Sequence, residues 1–384
     1  MIGIESLIKE LVIRYFEIVK PVFLSYLYQL LEFAGKMVFL YGGVFSLAGL
    51  LTLLERKISA LIQDRVGPER ANIWRFTLWG LFHPLADGIK MIMKEDFVPK
   101  KANKILFTLA PIITVFSVLI VFVFIPFGNY IEIAGQKIKL VIIDTDISVF
   151  LVIALSSLAI YGIFTAGFFS SNTWGMIGSL RAVSQMISYE IITLLSILPV
   201  IVIYGSSSFF EIMQKQADMI GGIIPKWGIF LQPLSFLLFI TASLCENKRT
   251  PFDVVECESE IIGYFIEYSS MRFGAFMFAE YIEIVFFSML ITIFFLGGWH
   301  LPFLYEYGFK VGLCLLPLDR KWVYIIEALT FAFKTFLISN FIIFIRWTLP
   351  RFRFDQIMRL AWKNIMPLAL LNLLATVIVL RLLK

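Results

Sequence analysis

Eight long apolar stretches, separated by charged segments, dominate the chain beyond residue 33. A membrane-spanning helix needs about 20 mainly apolar residues. We therefore predict eight spanning helices, over residues 33–54, 105–127, 147–169, 186–204, 229–245, 273–296, 325–345 and 365–383. A ninth apolar stretch, 74–93, is interrupted by His83, Pro84, Asp87 and Lys90. These residues favour amphipathic helices at the membrane surface over a further span.

The first 32 residues have a different periodicity. Apolar residues recur at positions 4, 7, 8, 11, 12, 15, 16 and 19, a stripe typical of an amphipathic helix, and Pro21 is expected to end or kink it. A signal peptide would instead place positive charge before an uninterrupted apolar run. We predict an interfacial helix over residues 1–32, with an extension of the first span as the alternative. Residues 33–384 are predicted to form one transmembrane domain.

The segments between the spans fall into two groups that alternate along the chain. The first comprises residues 55–104, 170–181, 246–272 and 346–363, and the second comprises 128–146, 205–226 and 298–324. Lysine and arginine number 19 in the first group and 7 in the second. Because basic loops stay on the cytoplasmic or matrix side, we predict the first group on that side and both termini on the other.

Composition sets the class of protein. Hydrophobic residues make up 59% of the chain and charged residues 16%, whereas soluble domains have about 45–50% and about 25%. The predicted fold class is an all-α integral membrane protein with surface helices and long charged loops. The net charge of +5 comes from residues at the ends of spans rather than on one stripe, which argues against nucleic-acid binding.

Cysteine and histidine are too few and too scattered to hold a redox centre. The three cysteines, Cys245, Cys257 and Cys314, form no CxxC pair, and the only histidines are His83 and His300. Haem, zinc and iron–sulfur sites need denser sets of these ligands. We expect this chain to hold no redox cofactor of its own.

The first span ends in a basic segment that begins at Glu55, Arg56 and Lys57 and reaches Arg65. A positive anchor that fixes topology explains it on composition alone. Farther on, Asp87 and Lys90 stand one helical turn apart and are placed to pair.

Ionisable residues also enter the fourth span. Arg181, Gln185 and Ser188 share a helical face at i, i+4 and i+7, and Glu190 falls inside the apolar run. Burial disfavours a charged carboxylate, so Glu190 must be paired, hydrated or protonated. A structural hydrogen bond between helices is the alternative interpretation.

An acidic file leads into the sixth span. Its members are Glu256, Glu258, Glu260, Glu267, Glu280 and Glu283. The spacing of Glu256, Glu260 and Glu267 predicts a shared helical face, on which mutual repulsion favours at least one proton. A solvated loop accounts for the first members but not for Glu280 and Glu283 inside an apolar span, where carboxylates mark proton or substrate paths.

Arginines close the seventh span. Arg346, Arg351 and Arg353 alternate with aromatic residues. The planar guanidinium suits either a polar head group or an acidic neighbouring subunit.

Together these segments resemble the membrane subunit of respiratory complex I, the proton-pumping NADH:quinone oxidoreductase, in the family known as subunit 1 or, in bacteria, as the H type. The matching motifs occur in the family's order and cover roughly residues 33–384. They are Glu55-Arg56-Lys57 with Arg65-Val-Gly67-Pro68, Pro84-Leu-Ala86-Asp87-Gly88-Ile-Lys90, Leu180-Arg181-Ala182-Val-Ser-Gln185 with Ile187-Ser188-Tyr189-Glu190, Arg249-Thr250-Pro251-Phe252-Asp253 with Glu256-Cys-Glu258-Ser-Glu260, Glu267-Tyr268, Ala279-Glu280-Tyr281, and Pro350-Arg351-Phe352-Arg353-Phe354-Asp355-Gln356 with Trp362-Lys363-Asn364.

The resemblance implies roles for individual residues. It implies that Arg56, Arg65, Asp87 and Arg346 line or border a quinone channel. It also implies that an acidic path to the proton-pumping subunits contains Glu190, Glu256, Glu258, Glu260, Glu267 and Glu280.

The resemblance also implies a setting. Quinone would be the bound substrate, and catalysis would need the rest of the complex. The partners would be peripheral subunits with the terminal iron–sulfur cluster and antiporter-like membrane subunits. The chain would be multi-pass, in the bacterial inner membrane or alternatively the mitochondrial inner membrane.

Two other functions share parts of this sequence pattern. The related membrane subunit of an energy-converting hydrogenase or formate hydrogenlyase shares much of the layout, but the arginines and Asp87 at the channel favour complex I. A stand-alone secondary transporter is disfavoured because the sequence lacks evident span repeats and paired Gly/Pro breaks within spans.

Overall fold

The computed structural model describes residues 2–72, 78–133, 136–220, 224–255, 260–261, 263–305, 308–311 and 314–383. For residues 2–28 it describes the backbone alone. The helices are α1 Ile2–Ile62, α2 His83–Met93, α3 Lys104–Ile120, α4 Ser148–Ser156, α5 Leu158–Phe168, α6 Thr173–Tyr204, α7 Phe209–Gln216, α8 Gly228–Leu231, α9 Pro233–Glu246, α10 Ser270–Phe295, α11 Arg320–Thr348, α12 Phe354–Arg359 and α13 Met366–Leu383.

Short one-turn elements and small sheets complete the fold. Leu78–Gly80 and Val121–Phe124 form 3₁₀ turns, and Leu360–Ile365 forms a π-helical turn between α12 and α13. The strands are β1 Tyr130–Ile133, β2 Gln136–Lys139, β3 Met219–Ile220, β4 Ile224–Pro225, β5 Leu304–Tyr305, β6 Gly308–Val311 and β7 Cys314–Pro317. All pair antiparallel, in sheets of two, two and three strands.

The prediction of an all-α, multi-pass membrane protein is confirmed. In the described part of the chain, seven helices are long and apolar enough to cross a membrane. They are Gln29–Ile62, Lys104–Phe124, Ser148–Phe168, Thr173–Tyr204, Ser270–Phe295, Arg320–Thr348 and Phe354–Leu382, and each contains or overlaps a predicted span.

The remaining predicted span, 229–245, is divided. Its apolar residues form α8 and the 14-residue α9, with Gln232 in a non-helical conformation between them. The break follows from Pro233, because proline lacks the N–H for a helical hydrogen bond and disfavours a helical conformation at the residue before it.

The amino-terminal helix continues past Pro21, where the sequence predicts an end or a kink. Proline's fixed φ is compatible with a helix, and its missing N–H removes one hydrogen bond. Helix α1 continues through Pro21, from Ile2 to Ile62. The residues form two compact units, Met1–Gly43 and Val44–Lys384. All the predicted site residues belong to the second unit.

The predicted basic segments meet at one end of this second unit. The hydrogen bonds that join them include those from Ser171 to Lys101, Ser270 to Met91, Asn172 to Glu267 and Arg351 to Asp253. The surface helix α2 belongs to this end and has no buried residue, which confirms its predicted amphipathic, surface character.

Helix α10 is the most enclosed span. Of its most apolar window 89% is buried, as expected for a helix that is apolar on all sides. Near its first turns, Tyr268 stacks on Phe107 with ring centroids 4.0 Å apart. At its far end, the Lys334 ammonium on α11 donates hydrogen bonds to the carbonyls of Leu296 at 2.7 Å, Gly298 at 3.1 Å and His300 at 2.7 Å.

Candidate functional site

The end of α1 and the surface helix α2 are joined by the predicted channel residues Arg56 and Asp87. Arg56 Nη2 lies 2.6 Å from Asp87 Oδ2, and both side chains are well exposed, 50% and 39% respectively. Asp87 therefore pairs with Arg56 rather than with its helical neighbour Lys90 as the spacing suggested. An exposed pair of this kind adds little stability, so both groups stay accessible to a third partner.

Arg65, also predicted at the channel, follows the end of α1. Its Nε donates a hydrogen bond of 2.7 Å to Gln63 Oε1, and the side chain is exposed. The structure therefore leaves Arg65 on the surface of the loop after α1, with a neighbour from its own segment.

Arg346 takes part in a buried ion cluster. Glu55, near the end of α1, accepts hydrogen bonds from Arg249 Nη1 at 3.1 Å to each carboxylate oxygen, and it also pairs with Arg346 Nη1. Glu55 and Arg249 are buried, and the Arg249 guanidinium lies 4.8 Å from the Tyr281 ring centre. Two guanidiniums around one carboxylate leave a local excess of positive charge.

A second ion pair stands beside this cluster. Arg351 Nη2 lies 2.9 Å from Asp253 Oδ2, and Asp253 Oδ1 is buried without a hydrogen bond. Burial raises the pKa of Asp253, while the positive charges of Arg351 and Arg346 oppose that shift. The pair ties the loop after α9 to the segment after α11.

Glu280, predicted to couple protons, lies inside α10 next to a buried lysine. Lys248 Nζ is 3.8 Å from Glu280 Oε1, with side-chain exposures of 1% and 3%. Tyr264 Oη donates to Glu280 Oε1 at 3.3 Å and accepts from Lys248 Nζ at 3.4 Å. Glu280 is thus held by one cation and one hydroxyl in an interior of low dielectric constant, where such contacts are strong.

Glu190 lines an internal pocket with two further carboxylates. The pocket is partly open, and Glu190 of α6, Glu246 of α9 and Glu283 of α10 contribute to its wall. Glu246 accepts a hydrogen bond of 2.6 Å from Thr193 Oγ1. Glu283 is buried, and its Oε2 has no hydrogen-bond partner. The rest of the wall is mainly apolar.

Among the described residues of the loop between α9 and α10, Glu260 and Glu267 do not share a helical face as predicted. Residues 260–261 and 264–267 lie in turns, because each carboxylate finds a partner on or next to α6 rather than continuing a helix. Glu260 pairs with Arg181, and Glu267 accepts a hydrogen bond of 2.7 Å from Asn172. These partners are nine positions apart along α6 and its cap, about 13 Å. The predicted sites Glu256 and Glu258 lie outside the described residues.

The predicted shared face of α6, with Arg181, Gln185 and Ser188, makes hydrogen bonds to other segments. Gln185 Nε2 donates to the carbonyls of Cys245 at 2.9 Å and Phe252 at 3.0 Å, and the Ser188 hydroxyl accepts from Trp362 Nε1 at 3.2 Å. These contacts join α6 to the end of α9, to the loop after it and to the turn before α13.

Three residues of the site were not assigned roles from the sequence. Glu246, Lys248 and Arg249 are close to the Pro251-Phe252-Asp253 motif, and the signal available was their position just after the predicted span 229–245. Within the described part of the chain, no group of three or more His, Cys, Asp and Glu residues is arranged to hold a metal ion.

Comparison with known proteins gives a consistent result. A family model described as "NADH dehydrogenase" matches residues 35–377. An H-type subunit of NADH-quinone oxidoreductase from Cytophaga hutchinsonii is 42% identical over 326 residues, which cover 85% of this chain and 90% of the relative. The H-type subunit from Flavobacterium psychrophilum is 39% identical over 335 residues, covering 87% and 92%. One from Geobacter metallireducens is 39% identical over 343 residues, covering 89% and 94%.

Proposed function

This chain belongs to the NADH dehydrogenase family, and we propose that it forms the membrane part of a quinone-binding chamber and an acidic path that couples quinone reduction to proton translocation. It is a multi-pass membrane subunit of NADH-quinone oxidoreductase, and other subunits of that complex are its partners. Catalysis belongs to the complex rather than to the isolated chain.

One observation carries the proposal: two consecutive buried cations connect the arginine cluster to the buried carboxylates. Arg249 holds Glu55, which is shared with Arg346 at the loop end of the helices. Its neighbour Lys248 approaches Glu280 inside α10. A change of charge at the first cluster therefore acts on the second through adjacent residues of one short segment.

The arginine side suits quinone chemistry. Reduction of a quinone to a quinol takes two electrons and two protons, and negative charge develops on the carbonyl oxygens between these additions. Guanidinium groups stabilise such charge as hydrogen-bond donors. Arg346 and the accessible Arg56–Asp87 pair would orient and polarise the head group, and Arg65 would border the entrance.

The carboxylate side suits proton movement. Glu190 faces the internal pocket, Glu280 lies beside Lys248, and Glu260 and Glu267 connect the loop to α6. Carboxylates in apolar surroundings exchange between a paired, charged form and a protonated form as neighbouring charges change. Glu256 and Glu258 complete the proposed path from the loop.

The partners and setting follow from the same proposal. Peripheral subunits would supply electrons through their terminal iron–sulfur cluster, and antiporter-like membrane subunits would receive the effect of the proton path. The relatives are bacterial, which supports a bacterial inner membrane over the mitochondrial alternative. The names of the relatives do not favour the hydrogenase function.

The experiment is gentle extraction of the tagged chain, identification of its partners by mass spectrometry, and an NADH:quinone assay on the purified material. We expect flavin and iron–sulfur subunits and quinone reduction that a quinone-site inhibitor blocks. Nickel–iron hydrogenase subunits in their place, or a chain that purifies alone and transports a solute, would contradict the proposal.

A further inference from the structure

The buried Lys248 lies beside a face of α10 that carries two carboxylates, Glu280 and Glu283. Lys248 Nζ lies 3.8 Å from Glu280 Oε1, and Glu283 follows on the same helix. Glu280 and Glu283 are three positions apart on α10, so their side chains share one face of the helix. A single ammonium group therefore stands against two buried carboxylates.

We propose that Lys248, Glu280 and Glu283 form a proton-holding unit, in which Lys248 keeps one carboxylate charged while Glu283 carries an exchangeable proton to and from the pocket lined by Glu190 and Glu246. The inference rests on the proposed function and adds Lys248 and Glu283 to it. Glu283 becomes a proton carrier, and Lys248 becomes a positioning residue that acts through the carboxylates.

Charge balance is the first argument. Ionised carboxylates are costly to bury unless they are paired. Lys248 compensates one negative charge, and the Tyr264 hydroxyl adds a hydrogen bond to Glu280. A neutral unit therefore contains one ionised carboxylate, one protonated carboxyl and the ammonium group.

The position of Glu283 is the second argument. Its exposure is 6%, it lines the pocket shared with Glu190 and Glu246, and its Oε2 lacks a hydrogen-bond partner. Buried polar atoms are nearly always satisfied, so an unsatisfied carboxyl oxygen at a pocket marks a place where water or a second acid group binds. Glu280, by contrast, contacts Lys248 and the Tyr264 hydroxyl.

The backbone of Lys248 is the third argument. Its φ is +52°, a left-handed conformation that non-glycine residues seldom adopt and that persists when surrounding contacts impose it. The side chain is fully buried. The fold thus maintains an unfavourable backbone conformation at the residue that places an ammonium group next to two acids.

Other charged groups also act on Glu283. Arg249 follows Lys248 in the same loop, Glu280 precedes Glu283 by one turn on α10, and Glu246 of α9 and Glu190 of α6 line the same pocket as Glu283. Arg249 is already engaged by Glu55. Lys248 is therefore the cation whose removal should change this balance most directly.

The proton step is simple to balance. The O–H bond of the Glu283 carboxyl breaks, and an O–H bond forms on a water molecule or on the carboxylate of Glu246 or Glu190. The charge of the unit falls by one, and a proton from the Glu280 side restores it. No electrons move and no other reactant is required.

The test uses the whole complex in inverted membrane vesicles. Glu283→Gln, Lys248→Met, Lys248→Arg and the double variant Lys248→Met/Glu283→Gln are compared for the NADH:quinone rate and for protons moved per NADH from about pH 6 to about pH 9, at an interval of about one unit. Lys226→Met, which removes an exposed lysine paired with Asp218, serves as the matched control.

We expect Glu283→Gln to lower protons moved per NADH at least about twofold. Lys248→Met should move the pH profile of pumping upwards by about one unit, because loss of the cation disfavours the charged carboxylates. Lys248→Arg should restore much of the native profile. The double variant should lower protons moved per NADH no further than the more damaging single variant does, since both residues belong to one unit.

Native pumping and an unchanged pH profile in Glu283→Gln and Lys248→Met would overturn the inference, as would fully additive losses in the double variant. If these variants pump normally while Glu190→Gln does not, the inference fails and the proposed function stands. If Glu283→Gln does not assemble, the profiles of Lys248→Met and Lys248→Arg decide the question.

Discussion

Glu55 and Arg249 are 194 positions apart in the sequence, and Arg249 Nη1 lies 3.1 Å from each oxygen of the Glu55 carboxylate. The pair joins the end of α1 to the loop after α9 inside the protein. Because Arg346 reaches the same carboxylate, Glu55 compensates one of the two positive charges that the neighbouring guanidiniums carry. The position of both arginines therefore depends on one acid.

Glu55→Ala should destabilise the complex strongly. Removal of one partner from a buried ion cluster costs about 3–5 kcal/mol, since it leaves buried charge without compensation. The measurement is the amount of assembled complex in the membrane and its thermal midpoint after extraction. As the control, Asp355→Ala removes an exposed carboxylate that pairs with Arg353 at 3.3 Å and should change little. Equal effects of the two variants would contradict this view of Glu55.

Glu190→Gln should abolish coupled quinone reductase activity without preventing assembly. The amide is close in size to the carboxylate but cannot carry the proton, so the pocket wall stays intact while the acid function is lost. The assay is NADH:quinone turnover and proton pumping on membranes with matched amounts of complex. Normal activity and pumping in this variant would remove Glu190 from the proton path.

Arg346→Ala should weaken quinone turnover. It removes a guanidinium that is 27% exposed at the side chain and relaxes the position of Glu55. We expect an increase in KM for quinone and a lower rate, with partial recovery in Arg346→Lys, which restores the charge but not the planar fork. An unchanged KM and rate would exclude Arg346 from the quinone site.

Stability at the opposite end of the protein should depend on pH through His300. Burial, followed by the positive charge of Lys334, lowers the pKa of His300 to about 4 from 6.5. Between these values the unfolded chain binds a proton that the folded protein excludes, so stability is lost as pH falls from 6.5 towards 4. His300→Gln should reduce that loss by on the order of 2 kcal/mol. Thermal midpoints at about pH 7 and about pH 5 measure it, and identical pH slopes in both proteins would contradict it.

The spans were predictable from the sequence because hydropathy is a local property. The predicted boundaries at residues 105–127 and 147–169 lie close to Lys104–Phe124 and Ser148–Phe168. The exceptions arose where backbone chemistry competes with hydropathy. Pro233 divides one span into α8 and α9, whereas Pro21 does not end α1.

The candidate site was predictable as a set of residues but not as a set of contacts. Glu190 and Glu280 were singled out because a carboxylate in an apolar run requires an explanation. Their surroundings depend on segments far away in the sequence, so periodicity gave no indication that Lys248 approaches Glu280 or that Glu246 shares a pocket with Glu190. The helical stacking of Glu260 and Glu267 was wrong because partners on and beside α6 determine the loop.

Lys334 places a mechanical limit on α10. The Lys334 ammonium donates hydrogen bonds to three carbonyl groups beyond the last turn of α10. These bonds fix that end of α10 to α11. Sliding of α10 along its axis would break all three bonds within an enclosed interior. A change of charge near Glu280 is therefore expected to be absorbed by side-chain rotation rather than by movement of α10 along its axis.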